Sequence, residues 1–497
     1  MVNILYFGIQ DQLVSKQFSF LEAQEEVLID VGVNGLKLFN SSSRVLWPIL
    51  GALVHFPSVD PFVIASFSGF KKPENINDFM AKFASEAKSL RENGIAVGPN
   101  KVLLRFDVRV FICDSPVRAF VSGVMSFNAK HGCPRCYIGG DWDGKVYLPT
   151  TSGIPRTDIS FEKRDHVSHH SPQFRQQKPV LEDAGFKMVS QFPLDCMHLV
   201  DLGVVKRFLK SLNSDANIRK INENIKFISN YFPSEFCRTA RSLDEVSRWK
   251  ATEFRQFLLY TGIFVLKDCI SSELYFLFLL LHTGIRLLSS ERSFRSEADV
   301  AQDILEHFVT QFSIMFGKES VTFNIHGLLH LSECVKDLGP LDSFSAYRFE
   351  NFMQFLKKIV RKPNQILQQL FLRLKERQDV SSSIQKPSKL CSFDIDLKKD
   401  KDCFCYSKKV GPIKVVELVG SGELEIVQCT VFRKTQNFFD VPVSSSDSLG
   451  IVVASEPSLN LVDLKREDLD YKYFCIPQES KFLLIPLLHH LFHEFSN

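Results

Sequence analysis

Two cysteines and two histidines have the spacing of metal ligands. Cys133 and Cys136 form a Cys-x-x-Cys pair in the glycine-containing segment HGCPRCYIGG, and His326 and His330 lie four positions apart in FNIHGLLHL. Imidazoles at positions i and i+4 of a helix share one face and can hold one ion. Together the four side chains predict a Cys2His2 site that suits zinc. A redox pair or two buried thiols would also explain the cysteines, and a partly buried helix face would explain the histidines.

Carboxylates at three other places are candidates for catalysis. Asp114 ends the predicted strand VLLRFDVRVFICD, where α/β sheets bind their ligands. Asp195 and His198 form an Asp-x-x-His motif before a predicted helix, and Glu350 opens the helix FENFMQFLKK. Simpler interpretations stay open, because Asp114 and Asp195 could cap helices and Glu350 could pair with basic residues on a solvated helix face.

The composition is that of a soluble globular chain with several structural units. Of 497 residues, 45% are hydrophobic and 24% charged, and the net charge of +3 leaves nucleic-acid binding to local basic faces. The 12 cysteines are scattered, which favours a reducing compartment. The N-terminus lacks the pattern of a secretion signal, and the most apolar run, at 274–281, is too short to span a membrane. We therefore expect a nuclear or cytoplasmic protein without a membrane partner.

Apolar periodicity predicts an α/β core in the first part of the chain. Strands are expected at 27–36, 45–56 and 61–70 with short turns between them, which is typical of an antiparallel meander. A helix at 75–93, the strand that ends at Asp114 and a second helix follow. A ribonuclease-H-like core has this order of elements, although unrelated α/β proteins share it.

The remaining pattern divides the chain into five parts. These are the first part of the core (1–125), a Cys-x-x-Cys zinc-knuckle and loop region (126–188), a long helical insertion (189–338), a final core helix with Glu350 (339–380) and, after a polar linker at 381–389, a small β-rich C-terminal unit (386–497).

Several long segments of this sequence resemble the CACTA (En/Spm)-type transposases, in the wider group of DDE/D transposases. The matching segments are GLKLFNSSSRVLWPILG, VFICDSPVRAF followed by HGCPRC, QFPLDCMHLVDLGVVKRFL, RWKATEFRQFLLYTG, and FNIHGLLHL followed by LGPLDSFSAYRFENFMQFLKKIVRKP. The resemblance implies a ribonuclease-H-like mixed sheet with a long helical insertion. It also implies a homo-oligomer that cuts and rejoins DNA at transposon ends.

In that family three carboxylates hold two magnesium or manganese ions for DNA cleavage and strand transfer. The resemblance assigns the second carboxylate to Asp114 and the third to Glu350. It assigns a zinc site to the Cys-x-x-Cys and His pairs, and Asp195 and His198 match a motif of unknown role.

One departure from the family concerns the first carboxylate. Where such transposases have Asp-Gly on the first strand, this chain has Asn34-Gly35. An amide has the shape of a carboxylate without its charge, so it bridges two divalent cations poorly. Asp30 lies four positions earlier, roughly 13 Å away along the strand, and is too distant to replace it. We also expect the N-terminal DNA-recognition segment of such transposases to be missing.

Two functions follow from the resemblance. The first is a transposase-like enzyme with cleavage impaired at Asn34. The alternative is a non-catalytic, domesticated or decayed copy that binds DNA or protein. In that case four basic side chains after Glu350 would contact phosphates: Lys357, Lys358, Arg361 and Lys362.

Overall fold

The computed structural model of the chain describes residues 3–40, 42–212, 217–380, 393–420 and 425–488. The described residues form two units. Unit 1 comprises those within Met1–His198, Phe316–His330 and Leu341–Lys386, and unit 2 those within Leu199–Met315, Leu331–Pro340 and Pro387–Asn497. The polar linker predicted at 381–389 lies outside the described residues. The five-part division of the chain stays a prediction.

Unit 1 is built on a mixed seven-stranded sheet. Its strands are β1 (Ile4–Tyr6), β2 (Glu26–Val33), β3 (Leu36–Lys37), β4 (Val45–Leu53), β5 (Phe62–Gly69), β6 (Ile95–Val97) and β7 (Val102–Ile112). The hydrogen-bonded order is β1-β5-β4-β2-β7-β6, and β3 also pairs with β4. Strands β2, β4 and β5 form the predicted antiparallel meander, and β7 runs parallel to β2. The predicted mixed α/β class is confirmed, whereas β1 and β6 are too short to show a period of two.

The helices are numbered through both units. They are α1 (Ile9–Leu13), α2 (Ile76–Asn93), α3 (Ser115–Ser122), α4 (Asp158–Glu162), α5 (Val180–Asp183), α6 (Lys206–Ser211), α7 (Ile218–Ile228), α8 (Ala251–Gln256), α9 (Gly262–Val265), α10 (Ser272–Ser289), α11 (Ala298–Phe316), α12 (Phe323–Gly327), α13 (Leu331–Leu338), α14 (Tyr347–Ile359), α15 (Ile366–Val380) and α16 (Ser445–Leu449). Capping explains the bounds of α2. The Asn75 side chain accepts a backbone hydrogen bond in the first turn, and Gly94, with φ of 82°, follows the last residue.

Short strands follow α3, as the loop-rich sequence of that region predicts. They are β8 (Cys136–Tyr137), β9 (Asp141–Asp143), β10 (Lys145–Tyr147) and β11 (Ile154–Pro155). The hairpin β9–β10 turns at Gly144, and β8 pairs with β11. This second pairing brings the chain back beside Cys136.

The first long strand is interrupted at Asn34, which corrects the prediction of a continuous strand at 27–36. The strand β2 ends before Asn34, and β3 begins after Gly35. The Asn34 side chain accepts a hydrogen bond from the Gly35 N–H at 2.7 Å, a local bond that competes with the ladder. A Cβ atom at Gly35 would lie 2.8 Å from the Trp47 indole, so the close approach favours glycine. Asn34 therefore lies in a break of the strand.

Asp30 is held in an ion pair inside unit 1 and does not reach the position of Asn34. The Arg109 guanidinium donates to both Asp30 carboxylate oxygens, at 2.8 and 2.7 Å. The Asp30 side chain is 3% exposed and that of Arg109 is 17% exposed. Burial raises the pKa of Asp30, and the Arg109 bonds oppose that shift. The pair is therefore a structural element of β2 and β7.

We expect Asp30→Asn to lower the free energy of unfolding by about 3–5 kcal/mol, because it leaves the buried Arg109 charge without its partner. Urea denaturation measures the change. The matched control is Asp107→Asn on the same strand as Arg109, where the Asp107 side chain is 51% exposed beside Arg91. Exposed pairs contribute at most about 1 kcal/mol. Equal losses in the two variants would contradict the assigned role of Asp30.

Unit 2 contains helices and a separate antiparallel sheet. The strands of that sheet are β12 (Phe404–Ser407), β13 (Gly411–Val419), β14 (Ile426–Asn437), β15 (Val452–Pro457), β16 (Val462–Lys465), β17 (Tyr471–Gln478) and β18 (Lys481–Pro486). Their order is β13-β12-β17-β18-β15-β14-β16, with an additional β13–β14 pairing. The predicted β-rich C-terminal part is confirmed.

The apolar run at 274–281 lies in α10, and most of its side chains are buried, as predicted. Among the described residues, no helix combines the length and the apolar character that a membrane span requires.

Candidate functional site

The four predicted zinc ligands meet in one buried cluster of unit 1. Cys133, Cys136, His326 and His330 are each at most 5% exposed. The two Sγ atoms are 3.6 Å apart, and the two Nε2 atoms are 3.3 Å apart. The sulfur of Cys133 lies 3.5 Å from Nε2 of His330, and that of Cys136 lies 3.4 Å from Nε2 of His326. In the described part of the chain, this is the one such group of potential metal ligands.

These separations fit a tetrahedral zinc ion. With Zn–S bonds of about 2.3 Å and Zn–N bonds of about 2.0 Å, two sulfurs would be about 3.8 Å apart, a sulfur and a nitrogen about 3.5 Å and two nitrogens about 3.3 Å. The observed separations match each value to within about 0.2 Å, the tolerance expected of a metal site. The cluster could therefore hold a metal such as zinc.

Neighbouring backbone groups orient the ligands. Nδ1 of His326 lies 2.9 Å from the Pro149 carbonyl oxygen, so a donating Nδ1–H leaves Nε2 free to bind a metal. The Arg156 Nε donates to the Cys133 carbonyl at 3.0 Å. A hydrogen bond from the Gly153 backbone also reaches Cys136 and opposes the rise in its pKa that Cys133 and burial cause. Such outer contacts fix the ligand set that a metal requires.

The backbone around the histidines differs from the predicted single helix. The helix α12 ends at Gly327, and Leu328–His330 form a tighter 3-10 turn before α13 begins. Because a 3-10 turn has three residues per turn, the rings at His326 and His330 do not follow an ideal α-helical face. Their ring centroids are nevertheless 5.1 Å apart. The change from α-helix to 3-10 helix between His326 and His330 therefore positions the two rings.

The pKa values of the two thiols depend on the other members of the cluster. Burial raises the pKa of Cys133, but hydrogen bonds with Cys136, His326 and His330 outweigh it and hold that pKa well below its usual range. The hydrogen bond with Cys133, together with burial, raises the pKa of Cys136. A divalent metal would stabilise both thiolates at once.

A second group of candidate residues lines one small pocket of unit 1. The lining includes Asn34, Asp114, His198 and Glu350. Asn34 comes from the break after β2, Asp114 from the end of β7 and Glu350 from the first turn of α14. Elements that are far apart in the sequence thus bring together the three positions assigned by the resemblance.

Asp114 also acts as a helix cap. The predicted strand ends at Ile112, two residues before Asp114, whose side chain accepts a hydrogen bond from the Val117 N–H at 2.7 Å. Gly123, with φ of 69°, ends α3. The capping interpretation describes this local geometry, and the half-buried Asp114 side chain also belongs to the pocket.

Asn34 faces Glu350 with its amide nitrogen. Its Nδ2 donates to Oε1 of Glu350 at 2.6 Å, while its Oδ1 accepts from the Gly35 N–H. The Gly35 bond fixes which end of the amide faces Glu350. A carboxylate at this position would face Glu350 with negative charge instead. In this arrangement Asn34 is a hydrogen-bond donor to Glu350.

Asp195 holds His198 beside Glu350. Oδ2 of Asp195 lies 2.6 Å from Nδ1 of His198 and also accepts from the His198 backbone N–H at 3.0 Å. Its Oδ1 accepts from the Ala346 N–H at 2.8 Å, just before α14. Nε2 of His198 is 3.8 Å from Oε1 of Glu350. Asp195 is thus a cap, as one interpretation predicts, and it also connects the histidine to the segment that precedes Glu350.

The charges of the pocket partly cancel. Burial opposes ionisation of Asp195, but hydrogen bonds from His198 and Ala346 lower the pKa of that carboxyl. Burial likewise acts to lower the pKa of His198, but Asp195, Glu350 and Asp114 outweigh it and raise that pKa to about 9. Burial raises the pKa of Glu350, and His198 and Asn34 oppose the shift. An imidazolium therefore faces Glu350 at neutral pH.

We expect the His198 ring to stay protonated up to about pH 9. An NMR titration of the 13 histidine rings tests this, and Asp195→Asn should return the late-titrating signal to pH 6.5 or below. Because the folded pKa is raised, the stabilisation is fully present below pH 6.5 and is lost as the pH rises through 9. A rise of the His198 pKa from 6.5 to about 9 corresponds to about 3 kcal/mol of stabilisation, at 1.36 kcal/mol per pKa unit. A His198 ring that is neutral at pH 7.5 would contradict this arrangement.

The donor set of the pocket fits two divalent cations poorly. Two carboxylates, Asp114 and Glu350, line it, and the third assigned position is an amide. Asp30 is committed to Arg109, and the His198 imidazolium competes with a cation for Glu350. Magnesium and manganese prefer charged oxygen ligands, so the loss of one carboxylate weakens their binding.

The four basic candidates lie at and after the end of α14. Lys357, Lys358, Arg361 and Lys362 are all exposed. Neither lysine of the helix forms the predicted pair with Glu350, which bonds to Asn34. These cations are available to bind an external anion.

One comparison with known proteins concerns the C-terminal part. Residues 376–487 match the model of a family described as "Domain of unknown function (DUF8592)". No curated protein matches the chain. Every candidate residue of the cluster and of the pocket precedes the matched segment, so this family does not bear on the chemistry of either.

Proposed function

We propose that the chain is a transposon-derived protein related to CACTA (En/Spm)-type DDE/D transposases, in which DNA binding is retained and DNA cleavage and strand transfer are impaired. The observation that carries the proposal is the pocket of unit 1. Asn34 and Glu350 are 316 positions apart in sequence and yet hydrogen-bond, and Asp114 lines the same pocket. Catalytic positions at strand ends and on a distant helix are expected of this family.

The order of strands supports a ribonuclease-H-like core. Three antiparallel strands, β5, β4 and β2, are followed across the sheet by the parallel strand β7, with α2 between β5 and β7 in the chain. The neighbour of β7 on its other side is β6, which precedes it in sequence. We propose a ribonuclease-H-like core on the basis of this order together with the positions of the pocket residues.

The Cys2His2 cluster supports the same relationship. Its cysteines follow Asp114 and its histidines precede Glu350, in the order that the resemblance implies. We propose that the ion is zinc with a structural role, because all four ligands are protein side chains and all are buried, which leaves no open position for a substrate.

Asn34 is the reason for proposing impaired cleavage. In the related enzymes three carboxylates hold the two ions that activate water and the DNA 3′ hydroxyl. Here the Asn34 amide donates to Glu350 and His198 contributes a positive charge at that carboxylate. The present role is therefore binding of DNA, with a homo-oligomeric assembly and a nuclear or cytoplasmic location as parts of the proposal.

The DNA contacts are assigned to the exposed cations at the end of α14. We expect Lys357→Ala/Lys358→Ala to weaken binding of a DNA duplex, and to reduce the slope of log K against log salt by about 0.9 for each lost phosphate contact. Arg361→Ala/Lys362→Ala should act in the same way. Fluorescence anisotropy over a salt series measures both effects.

The control for this prediction is Lys398→Ala/Lys481→Ala, which removes two exposed lysines from unit 2. The control changes the net charge by the same amount. A difference in affinity or salt slope between the test and control variants therefore reflects the position of the lost cations. Equal affinities and slopes in the test and control variants would contradict the assigned DNA contacts. A purified chain that binds no duplex at low salt would contradict retained DNA binding.

A further inference from the structure

A second basic surface lies at the end of the sheet that holds Asn34. We call it the basic rim and define it by Lys37, Arg44, Phe70, Lys71, Lys72 and Phe120. The strand register brings its segments together, because Lys37 is opposite Val45 and Val45 is opposite Gly69. Three neighbouring strand ends therefore carry cations and an aromatic ring side by side.

Cations and aromatic rings are paired in the basic rim. The Arg44 guanidinium lies over the Phe70 ring, 4.4 Å from its centroid, and the Lys72 ammonium lies 4.2 Å from the centroid of Phe120. Phe70 is 62% exposed, against 43% for Phe371 and 41% for Phe227, the other exposed phenylalanines among the described residues. The arrangement leaves one face of a large ring available beside fixed positive charge.

The basic rim carries an excess of positive charge. The segments 36–44 and 69–75 contain four cations and one acidic residue, Glu74. Among the described residues, none of Lys37, Arg44, Lys71 and Lys72 takes part in an ion pair. Such a surface is complementary to a polyanion.

Contacts connect the basic rim to the pocket. Gly35, next to Asn34, packs against the Trp47 indole, whose ring is 6.1 Å from that of Phe120. Phe120 lies on α3, the helix that Asp114 caps. The rim therefore borders the pocket on the side of β2 and α3, and the cations after α14 are a separate set.

We propose that the basic rim binds an unpaired nucleic-acid strand, with Phe70 stacking on a base and the four cations contacting phosphates. Exposed rings among cations are the features that bind single strands, since every base offers a stacking face. An acidic protein surface would also contact the cations, but it would not offer a base to stack on the exposed ring. The inference rests on the proposed function, which supplies DNA as the partner. It adds that the bound strand is unpaired and that it binds at the basic rim.

The test uses fluorescence anisotropy with an oligothymidylate of about 12 nucleotides and the full chain. We expect Phe70→Ala to weaken binding about tenfold, the loss of one stacked base, and Phe70→Trp to retain it. Lys71→Ala/Lys72→Ala should reduce the salt slope by about 0.7 for each lost phosphate contact of a single strand. The control Trp142→Ala removes a ring that is 65% exposed, at the β9–β10 hairpin, and should not change binding.

Unchanged affinity in Phe70→Ala would overturn the proposal, as would equal losses in Trp142→Ala. Polyglutamate is a competitor that carries negative charge without bases. If Phe70→Ala weakens its binding as much as it weakens binding of the oligothymidylate, the proposal is overturned and an acidic protein partner is indicated. The duplex assay with Lys357→Ala/Lys358→Ala is independent of the rim. The two assays therefore distinguish a failure of the DNA contacts proposed at α14 from a failure of the contacts proposed at the basic rim.

Discussion

Replacing Cys133 with serine is expected to remove the bound zinc and to lower the Tm of unit 1 by about 10 °C. A ligand present at 1,000 times its Kd stabilises the folded state by about 4 kcal/mol, and 1 kcal/mol shifts the Tm of a domain of this size by about 2–4 °C. His326→Ala and His330→Ala should have the same effect, because the four ligands share one ion. Elemental analysis of the purified chain measures zinc, with one ion expected in the unmodified protein and none in the variants.

Cys237→Ser is the matched control for the zinc prediction. This cysteine is exposed, lies in unit 2 and is remote in sequence from the cluster. Its substitution should leave both the zinc content and the Tm unchanged. Stoichiometric zinc in Cys133→Ser and in His326→Ala would contradict a shared site.

Asn34→Asp is expected to restore metal-dependent nicking of DNA. The unmodified chain should remain near background with magnesium or manganese, and the variant should nick supercoiled DNA about 100-fold faster, the scale of one lost charge-stabilising group in an active site. The reason is that aspartate would replace the amide that donates to Glu350 at 2.6 Å. Conversion of supercoiled to open-circular DNA on a gel measures the rate.

The double variant Asn34→Asp/Asp114→Ala should return to background and serves as the control for a contaminating nuclease. If the unmodified chain nicks as fast as Asn34→Asp, and Asp114→Ala abolishes the activity, Asn34 does not impair cleavage. Absence of nicking in Asn34→Asp despite bound manganese would show that a further part of the centre is missing.

The elements around the pocket could be predicted because their sequences follow simple patterns. The strands β2, β4, β5 and β7 each contain at least five apolar residues, and α2 begins after a capping asparagine. The break at Asn34 had a signal in the sequence, because Asn-Gly is a dipeptide typical of turns, but the apolar residues on both sides favoured a continuous strand. That break decides the orientation of the Asn34 amide.

The four residues of the Cys2His2 cluster were predictable from residue type and spacing, but the groups that support them were not. The Pro149 carbonyl that orients His326 and the Ala346 N–H that donates to Asp195 are backbone groups, which leave no mark in the sequence. The Asp30–Arg109 pair had only a partial signal, because Asp30 interrupts the apolar residues of β2, whereas Arg109 is one of three charged residues in β7. Two opposite charges inside neighbouring buried strands indicate an ion pair.

The most direct test of the central claim, a preserved pocket disabled at Asn34, is manganese binding by the purified chain without DNA. Electron paramagnetic resonance counts free manganese in the unmodified chain, in Asn34→Asp and in Asn34→Asp/Asp114→Asn. We expect the single variant to bind at least about tenfold more tightly than the unmodified chain, and the double variant to lose that gain. Equal affinity in the unmodified chain and in Asn34→Asp would contradict the claim.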